Sequence, residues 1–76
     1  MPAKRSVANQ KLAKAIRVTR EGTGQSQEKT ARRAGLDRSY FGAIERGEFN
    51  ISFDTIVKIA AGLGTKPSVL CARARL

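Results

Sequence analysis

The stretch that decides the fold is SQEKTARRAGLDRSYFGAIERG, residues 26–47. Its first half predicts a short helix. Ser26 is a suitable N-cap, because its hydroxyl can accept a hydrogen bond from a free amide of the first turn. Ala31 leaves room for a second helix to cross closely, and Gly35 ends the first one, because a left-handed backbone costs little only without a side chain.

The second half of the stretch predicts another short helix. Asp37 is its N-cap, and it runs to Gly47. The apolar side chains that hold the two helices at a fixed angle are Leu36, Phe41 and Ile44. One face of the second helix is then free to enter the major groove of DNA, as in a helix-turn-helix.

A longer helix is predicted before this stretch. Ser6 is its candidate N-cap, and Gly22 and Gly24 end it. Residues on its apolar face recur at three- and four-residue spacing: Leu12, Ala15, Ile16 and Thr19.

Two more helices are predicted after it. The fourth lies between the N-cap Ser52 and Gly64, and the fifth begins at Pro67 after Lys66, a poor cap. We expect the fourth to bury Phe53, Ile56, Val57, Ile59, Ala60 and Leu63, and the fifth carries Val69, Leu70 and Cys71. The chain thus predicts an all-α fold of five helices without a strand.

Composition limits the possible functions. A chain of 76 residues is too short for a large enzyme fold. Fifteen Lys and Arg against six Asp and Glu give +9, which indicates a polyanionic partner, although such a charge also keeps a small protein soluble. Residues 1–46 hold eleven basic and four acidic residues, hence +7, while residues 47–76 hold four and two, hence +2.

Several kinds of site are disfavoured. With one cysteine and no histidine, the chain can form neither an internal disulfide nor a Cys–His metal site, and we expect no cofactor. The carboxylates form no paired constellation, so we expect no enzyme. A lone thiol fits the cytoplasm, no apolar leader follows Met1, and no stretch is long enough to cross a membrane.

Residues 26–47 resemble the phage-repressor and Cro-type helix-turn-helix, the Xre family. The likeness extends over about residues 12–71, through Asn50-Ile51-Ser52, Lys58-Ile59-Ala60 and Pro67 to Leu70. Leu-Asp-Arg-Ser-Tyr, Glu-Arg-Gly and Asn-Ile-Ser are similar to small restriction–modification controller proteins. The resemblance implies a phage-repressor-like DNA-binding domain with the helix-turn-helix at helices 2 and 3, here residues 7–76 after a basic N-terminal arm, residues 1–6.

The resemblance also implies roles for single residues. Base edges would be read by Arg38, Ser39 and Ala43, with Ala43 against a thymine methyl. The DNA backbone would be contacted by Gln27, Tyr40, Arg46 and Asn50. Arg20 and Glu45 would form a structural ion pair between the first and third helices. Ser39 also suits a phosphate or local helix bond, and Tyr40 suits packing.

We therefore expect a sequence-specific transcription regulator that acts as a homodimer on a two-fold symmetric operator, with recognition helix 38–46 in the major groove. The dimer contact is expected among Phe49, Ile51, Val69, Leu70 and Leu76. Phe49 suits either this interface or packing on the fourth helix. Both repression and activation through RNA polymerase remain open.

The sequence also leaves room for other functions. An antitoxin-like protein-binding partner would repress its own operon with the same fold, and a non-specific coat would need more stacking aromatics than Tyr40 and three Phe supply. Lys4 and Arg5 suit either a minor-groove arm or a frayed terminus. Cys71 is read as a small apolar residue, with a redox role as the alternative.

Three residues depart from the family pattern. Polar Thr19, Gln25 and Thr30 stand where the family usually has apolar residues. We expect all three near the junction of the first two helices, where they would weaken the packing and leave the monomer marginally stable.

Overall fold

Five helices follow one another along the chain. The computed structural model describes residues 6–76. The helices are α1 (Val7–Thr23), α2 (Gln27–Ala34), α3 (Arg38–Glu45), α4 (Phe53–Leu63) and α5 (Pro67–Arg73). The described part contains no strand, so the predicted all-α architecture is confirmed.

Local capping explains where the helices begin. In four of them a side-chain oxygen of the predicted N-cap accepts a hydrogen bond from the amide three residues ahead; these caps are Ser6, Ser26, Asp37 and Ser52. Lys66 makes no side-chain cap, and Pro67 instead begins α5, where its missing amide hydrogen costs nothing.

The turn between α2 and α3 depends on Gly35. Its φ is 71°, in the left-handed region, and the Leu36 amide donates to the Ala31 carbonyl at 2.8 Å. This closure ends α2 abruptly and sets the direction in which α3 leaves.

The core lies between all five helices. Its largest fully buried apolar side chains are Phe41, Ile16, Ile44, Ile59 and Leu70. Leu36, Tyr40 and Ile51 are partly buried against it. Since α3 supplies Phe41 and Ile44, burying these side chains fixes its inner face, and only its first two residues, Arg38 and Ser39, are exposed.

Helix α4 departs from the prediction at two positions. Phe53 and Val57 were expected in the core, but they are 64% and 42% exposed. The helix turns the stripe of Ile56, Ile59, Ala60 and Leu63 inward. Phe53 and Val57 are one turn apart at the edge of this stripe, beyond the reach of the core.

Gly62 lets α4 pack closely against α2. A Cβ at this position would lie 3.0 Å from the Ala34 nitrogen and 3.1 Å from the Thr30 carbonyl oxygen. Since both neighbours are backbone atoms, they cannot move aside like a side chain. No local sequence pattern indicates this contact.

The three polar residues that depart from the family pattern, Thr19, Gln25 and Thr30, all take part in hydrogen bonds. The Thr30 hydroxyl is fully buried and donates to Gln25 Oε1 at 2.8 Å, at the expected junction of α1 and α2. The buried Thr19 hydroxyl accepts a hydrogen bond from Arg73 of α5 at 3.0 Å.

Candidate nucleic-acid interface

The end of α3 is fixed to α1 by a buried ion pair. Arg20 Nε donates to Glu45 Oε2 at 2.6 Å, and Arg20 Nη2 donates to Glu45 Oε1 at 3.2 Å. The two side chains are 13% and 2% exposed. The hydrogen bond to Glu45 raises the pKa of Arg20 above its already high ordinary value, so the guanidinium stays charged.

Gln27 joins the start of α2 to the same pair. Its Nε2 donates to Glu45 Oε1 at 2.8 Å, while Arg20 Nη1 donates to the Gln25 carbonyl at 2.9 Å. The carboxylate of α3 is thus held from two other helices. Gln27 itself is half-buried beside α3.

Gly42 makes room for this arrangement. A Cβ there would lie 3.3 Å from Arg46 Nη1 and 3.4 Å from Gln27 Oε1. Both neighbours are side-chain atoms. A methyl group at position 42 would only touch the Gln27 amide, whereas a larger side chain would compete with it for the space beside α3.

The start of α3 is the exposed end. Arg38 and Ser39 are both exposed, and Asp37 accepts the amide hydrogen bond of Tyr40 at 3.2 Å. Among residues 6–76, no carboxylate lies within ion-pair distance of Arg38. A solvent-facing, unpaired guanidinium on the first turn of a helix is suited to a bidentate hydrogen bond with a guanine edge.

Ala43 does not share this exposure. It was expected to touch a thymine methyl, but it is only 6% exposed. The chain leaving α3 turns back at this point, and the Glu48 amide donates to the Ala43 carbonyl at 3.1 Å. Burial of Ala43 therefore corrects the prediction for that residue, and Arg38 and Ser39 are the exposed members of the predicted base-reading set.

The loop after α3 is held by residues far away in the sequence. The Asn9 side-chain amide of α1 donates to the Phe49 carbonyl and accepts from the Ile51 amide, the latter at 3.4 Å. The rings of Tyr40 and Phe49 lie 5.3 Å apart at 57°. Neither contact was identified from the sequence. Together they fix the exposed Asn50 between two anchored neighbours.

Arg46 extends the basic surface beyond α3. It is exposed, and its Nε donates to Glu48 Oε2 at 2.6 Å. This hydrogen bond raises the pKa of Arg46. An exposed pair of this kind is weak in water, so a phosphate can replace the carboxylate at little cost.

The residues expected at a dimer contact are not all available. Leu70 is fully buried within the chain, because it packs where α5 closes the core, and this corrects the prediction for that residue. Phe49 and Leu76 are exposed, and Ile51 and Val69 are half-buried. Cys71 is also half-buried.

The described residues contain neither a candidate metal site nor a candidate membrane span. Between residues 6 and 76, no three Cys, Asp or Glu side chains are close enough to hold a metal ion. None of the helices there is both long and apolar enough to span a bilayer. The proposed basic arm, residues 1–6, falls outside the described part except for Ser6.

Comparison with known proteins agrees with this geometry. A family model described as helix-turn-helix matches residues 16–70, which contain the whole α2–turn–α3 unit. The chain belongs to the helix-turn-helix family. Its resemblance to Xre-type regulators is thereby confirmed, and this family consists of DNA-binding transcription regulators rather than enzymes.

The relatives of this helix-turn-helix protein include restriction–modification controllers. It is 43% identical to the control protein C.MunI of Mycoplasma sp. over 71% of its own length and 73% of that protein. The crystal structure of the controller protein C.AhdI from Aeromonas hydrophila has a TM-score of 0.81 and 40% identity, covering 86% of this chain and 98% of that one.

A third relative is longer. The chain is 49% identical to a hypothetical transcription factor of Neisseria meningitidis over 70% of its length, and the match spans 50% of that protein. The matched half is enough to carry the helix-turn-helix.

Proposed function

We propose that this chain is a sequence-specific transcription regulator that binds a two-fold symmetric operator as a homodimer, with α3 of each copy in the major groove. One observation carries the proposal: Arg38 and Ser39 lie at the exposed start of a helix whose last residue, Glu45, is held by Arg20 and Gln27. A reading helix needs this combination of fixed orientation and accessible polar side chains.

In this proposal the contacts divide into two kinds. Arg38 and Ser39 read base edges, and their contribution depends on sequence. The backbone phosphates are contacted by Gln27, Tyr40, Arg46 and Asn50. Gln27 lies on α2 and Tyr40 lies on α3. Arg46 and Asn50 follow α3, and Asn50 belongs to the loop that Asn9 anchors. Their contribution is expected to be similar on any duplex.

The dimer is proposed because one short helix reads too few base pairs for useful specificity. Its contact surface is expected to include the accessible members of the predicted set, Phe49, Ile51, Val69 and Leu76. We add Phe53 and Val57, because large apolar side chains left exposed on a monomer favour burial against a partner.

At an operator, the dimer would block or contact RNA polymerase depending on the operator's place in the promoter. Such a regulator is expected to act in the cytoplasm.

The test is selection of random duplex DNA by the purified protein, followed by sequencing of the enriched pool. We expect a two-fold symmetric motif with half-sites about one helical turn apart. The same selection with an Arg38→Ala variant is expected to lose preference at one base pair of each half-site. Flat enrichment by the unaltered chain would contradict the proposal.

A further inference from the structure

A groove runs between α1 and the end of α5. Its cavity volume is about 570 Å³, and it is lined by Lys11, Lys14, Ala15, Val18, Arg73, Ala74 and Arg75. The lining holds four cations and no acid. Within the described residues, none of these four cations has a carboxylate in ion-pair distance. The groove therefore combines an apolar floor with a rim of uncompensated positive charge.

The groove lies on the flank of α1 next to the one that faces the end of α3. Lys11 and Val18 line it, Ala13 and Arg17 line a second groove next to Gly47 at the end of α3, and Lys14 lies between the two and lines both. Positions along a helix that differ in this way point to different sides.

Arg73 is held in place without being neutralised. Its Nη1 donates to the hydroxyl of Thr19, a buried residue of α1, at 3.0 Å. A hydroxyl fixes the orientation of a guanidinium but contributes no opposite charge. The remaining donors of Arg73 are available to a carboxylate in a bidentate geometry.

Arg75 occupies an unfavourable backbone conformation on the same rim. Its φ is 59°, and among residues 6–76 it is the only residue other than glycine with a positive φ. The Leu76 amide donates to the Cys71 carbonyl at 3.0 Å and closes the end of α5 around it. The other four helix ends have a positive-φ glycine at the corresponding place: Gly24, Gly35, Gly47 and Gly64. Glycine would fit better here, but it would remove a charge from the rim.

We propose that this groove binds an acidic segment of a partner protein that also carries apolar side chains. The acids would pair with the rim, and the apolar groups would contact Ala15, Val18 and Ala74. A DNA backbone offers the charge but little to bury on such a floor. The chain's own start is a poor occupant, because Lys4 and Arg5 would be repelled. The inference goes beyond the DNA-binding proposal and does not depend on it.

The test uses the full chain and a short fluorescent peptide with glutamates on one helical face and leucines on the other. A matched peptide keeps the glutamates and replaces each leucine by serine. We expect the first peptide to bind, and the second to bind about tenfold more weakly or worse. Equal binding of both peptides would overturn the proposal, because it would reduce the groove to a general attraction for anions.

Charge variants locate the binding. Lys11→Glu is expected to weaken the leucine peptide about tenfold or more, whereas Lys66→Glu changes net charge equally outside the groove and is expected to have a much smaller effect. Equal effects would contradict the assignment. So would a loss of affinity for unrelated duplex DNA with Lys11→Glu as large as the loss for the peptide, since the groove would then be a nucleic-acid contact.

Arg75→Gly separates binding from folding. Because glycine accepts a positive φ, the melting temperature of this variant is expected to stay the same or rise. Its affinity for the leucine peptide is expected to fall several-fold. Unchanged affinity in this variant would overturn the role of the rim, whatever the fold does.

Discussion

Arg20 and Glu45 form a two-point ion pair that ties the last residue of α3 to α1, with the carboxylate almost completely removed from solvent. Breaking this pair is expected to lower stability by more than the intact pair contributes to it. An intact buried pair contributes little net stability, because desolvation offsets the attraction, but removal of one partner leaves a buried charge uncompensated.

We therefore predict that Arg20→Met lowers the free energy of unfolding by about 3 kcal/mol, since the carboxylate of Glu45 would keep only Gln27. Chemical denaturation measures this directly. Adding Glu45→Met is expected to restore part of the loss, because an apolar pair needs no compensation.

The matched control is the second Arg–Glu pair. Arg46 and Glu48 are also 2.6 Å apart, but both are exposed. Arg46→Met is expected to leave the unfolding midpoint unchanged within error. A similar loss for both variants would show that burial does not decide the cost.

Gly62→Ala tests the close packing of α4 on α2. We expect the added methyl group to lower the free energy of unfolding by about 1–2 kcal/mol, because it meets the backbone of Ala34 and Thr30. Gly22→Ala in α1 is the control, since its methyl meets nothing within 4 Å. That variant is expected to stabilise the chain by up to about 1 kcal/mol through helix propensity. Equal shifts in thermal unfolding would contradict the packing argument.

Arg38→Ala is predicted to reduce affinity for the selected operator by about 1–3 kcal/mol and to relax preference at one base pair. Arg46→Gln, at a proposed phosphate contact, is expected to weaken operator and unrelated duplex alike and to lower the salt dependence. Fluorescence anisotropy at several salt concentrations distinguishes the two patterns. If Arg38→Ala left base preference intact, α3 would be docked in another register.

Phe53→Ser is predicted to raise the dimer dissociation constant about tenfold or more, because an exposed aromatic side chain at the proposed contact would be lost. Sedimentation velocity over a range of concentrations measures it. Leu70→Ala provides the contrast: Leu70 is fully buried in its own chain, so this variant is expected to lose about 2–5 kcal/mol of stability through a cavity. A Phe53→Ser chain that dimerises normally would exclude this side chain from the interface.

Much of the fold could be predicted because its signals are local. Each N-cap and its partner amide are three residues apart, so Ser26 and Asp37 can be recognised without knowledge of the tertiary structure. The family pattern also led to the Arg20–Glu45 pair, but not to the hydrogen bond of Gln27 to the same carboxylate.

The wrong or missed predictions concern residues whose local sequence pattern does not reveal their tertiary surroundings. Phe53 and Val57 have the spacing of a core face, and spacing alone does not say whether this chain or another covers them. Asn9 meets a loop about forty residues away in the sequence, and no short-range signal reports such a contact. In the sequence, Gly62 is simply a residue with low helix propensity. Only the tertiary structure shows that the backbone of α2 packs against it.

The eight residues of α3 divide into an anchored end and a free one. Glu45 is held by two other helices, whereas Arg38 and Ser39 contribute nothing to the core. Changes at positions 38 and 39 are therefore expected to alter which DNA is read without endangering the fold. A scaffold of this kind can acquire a new target sequence by one or two substitutions, so paralogues in one cell could diverge in the genes they control before the rest of the chain changes.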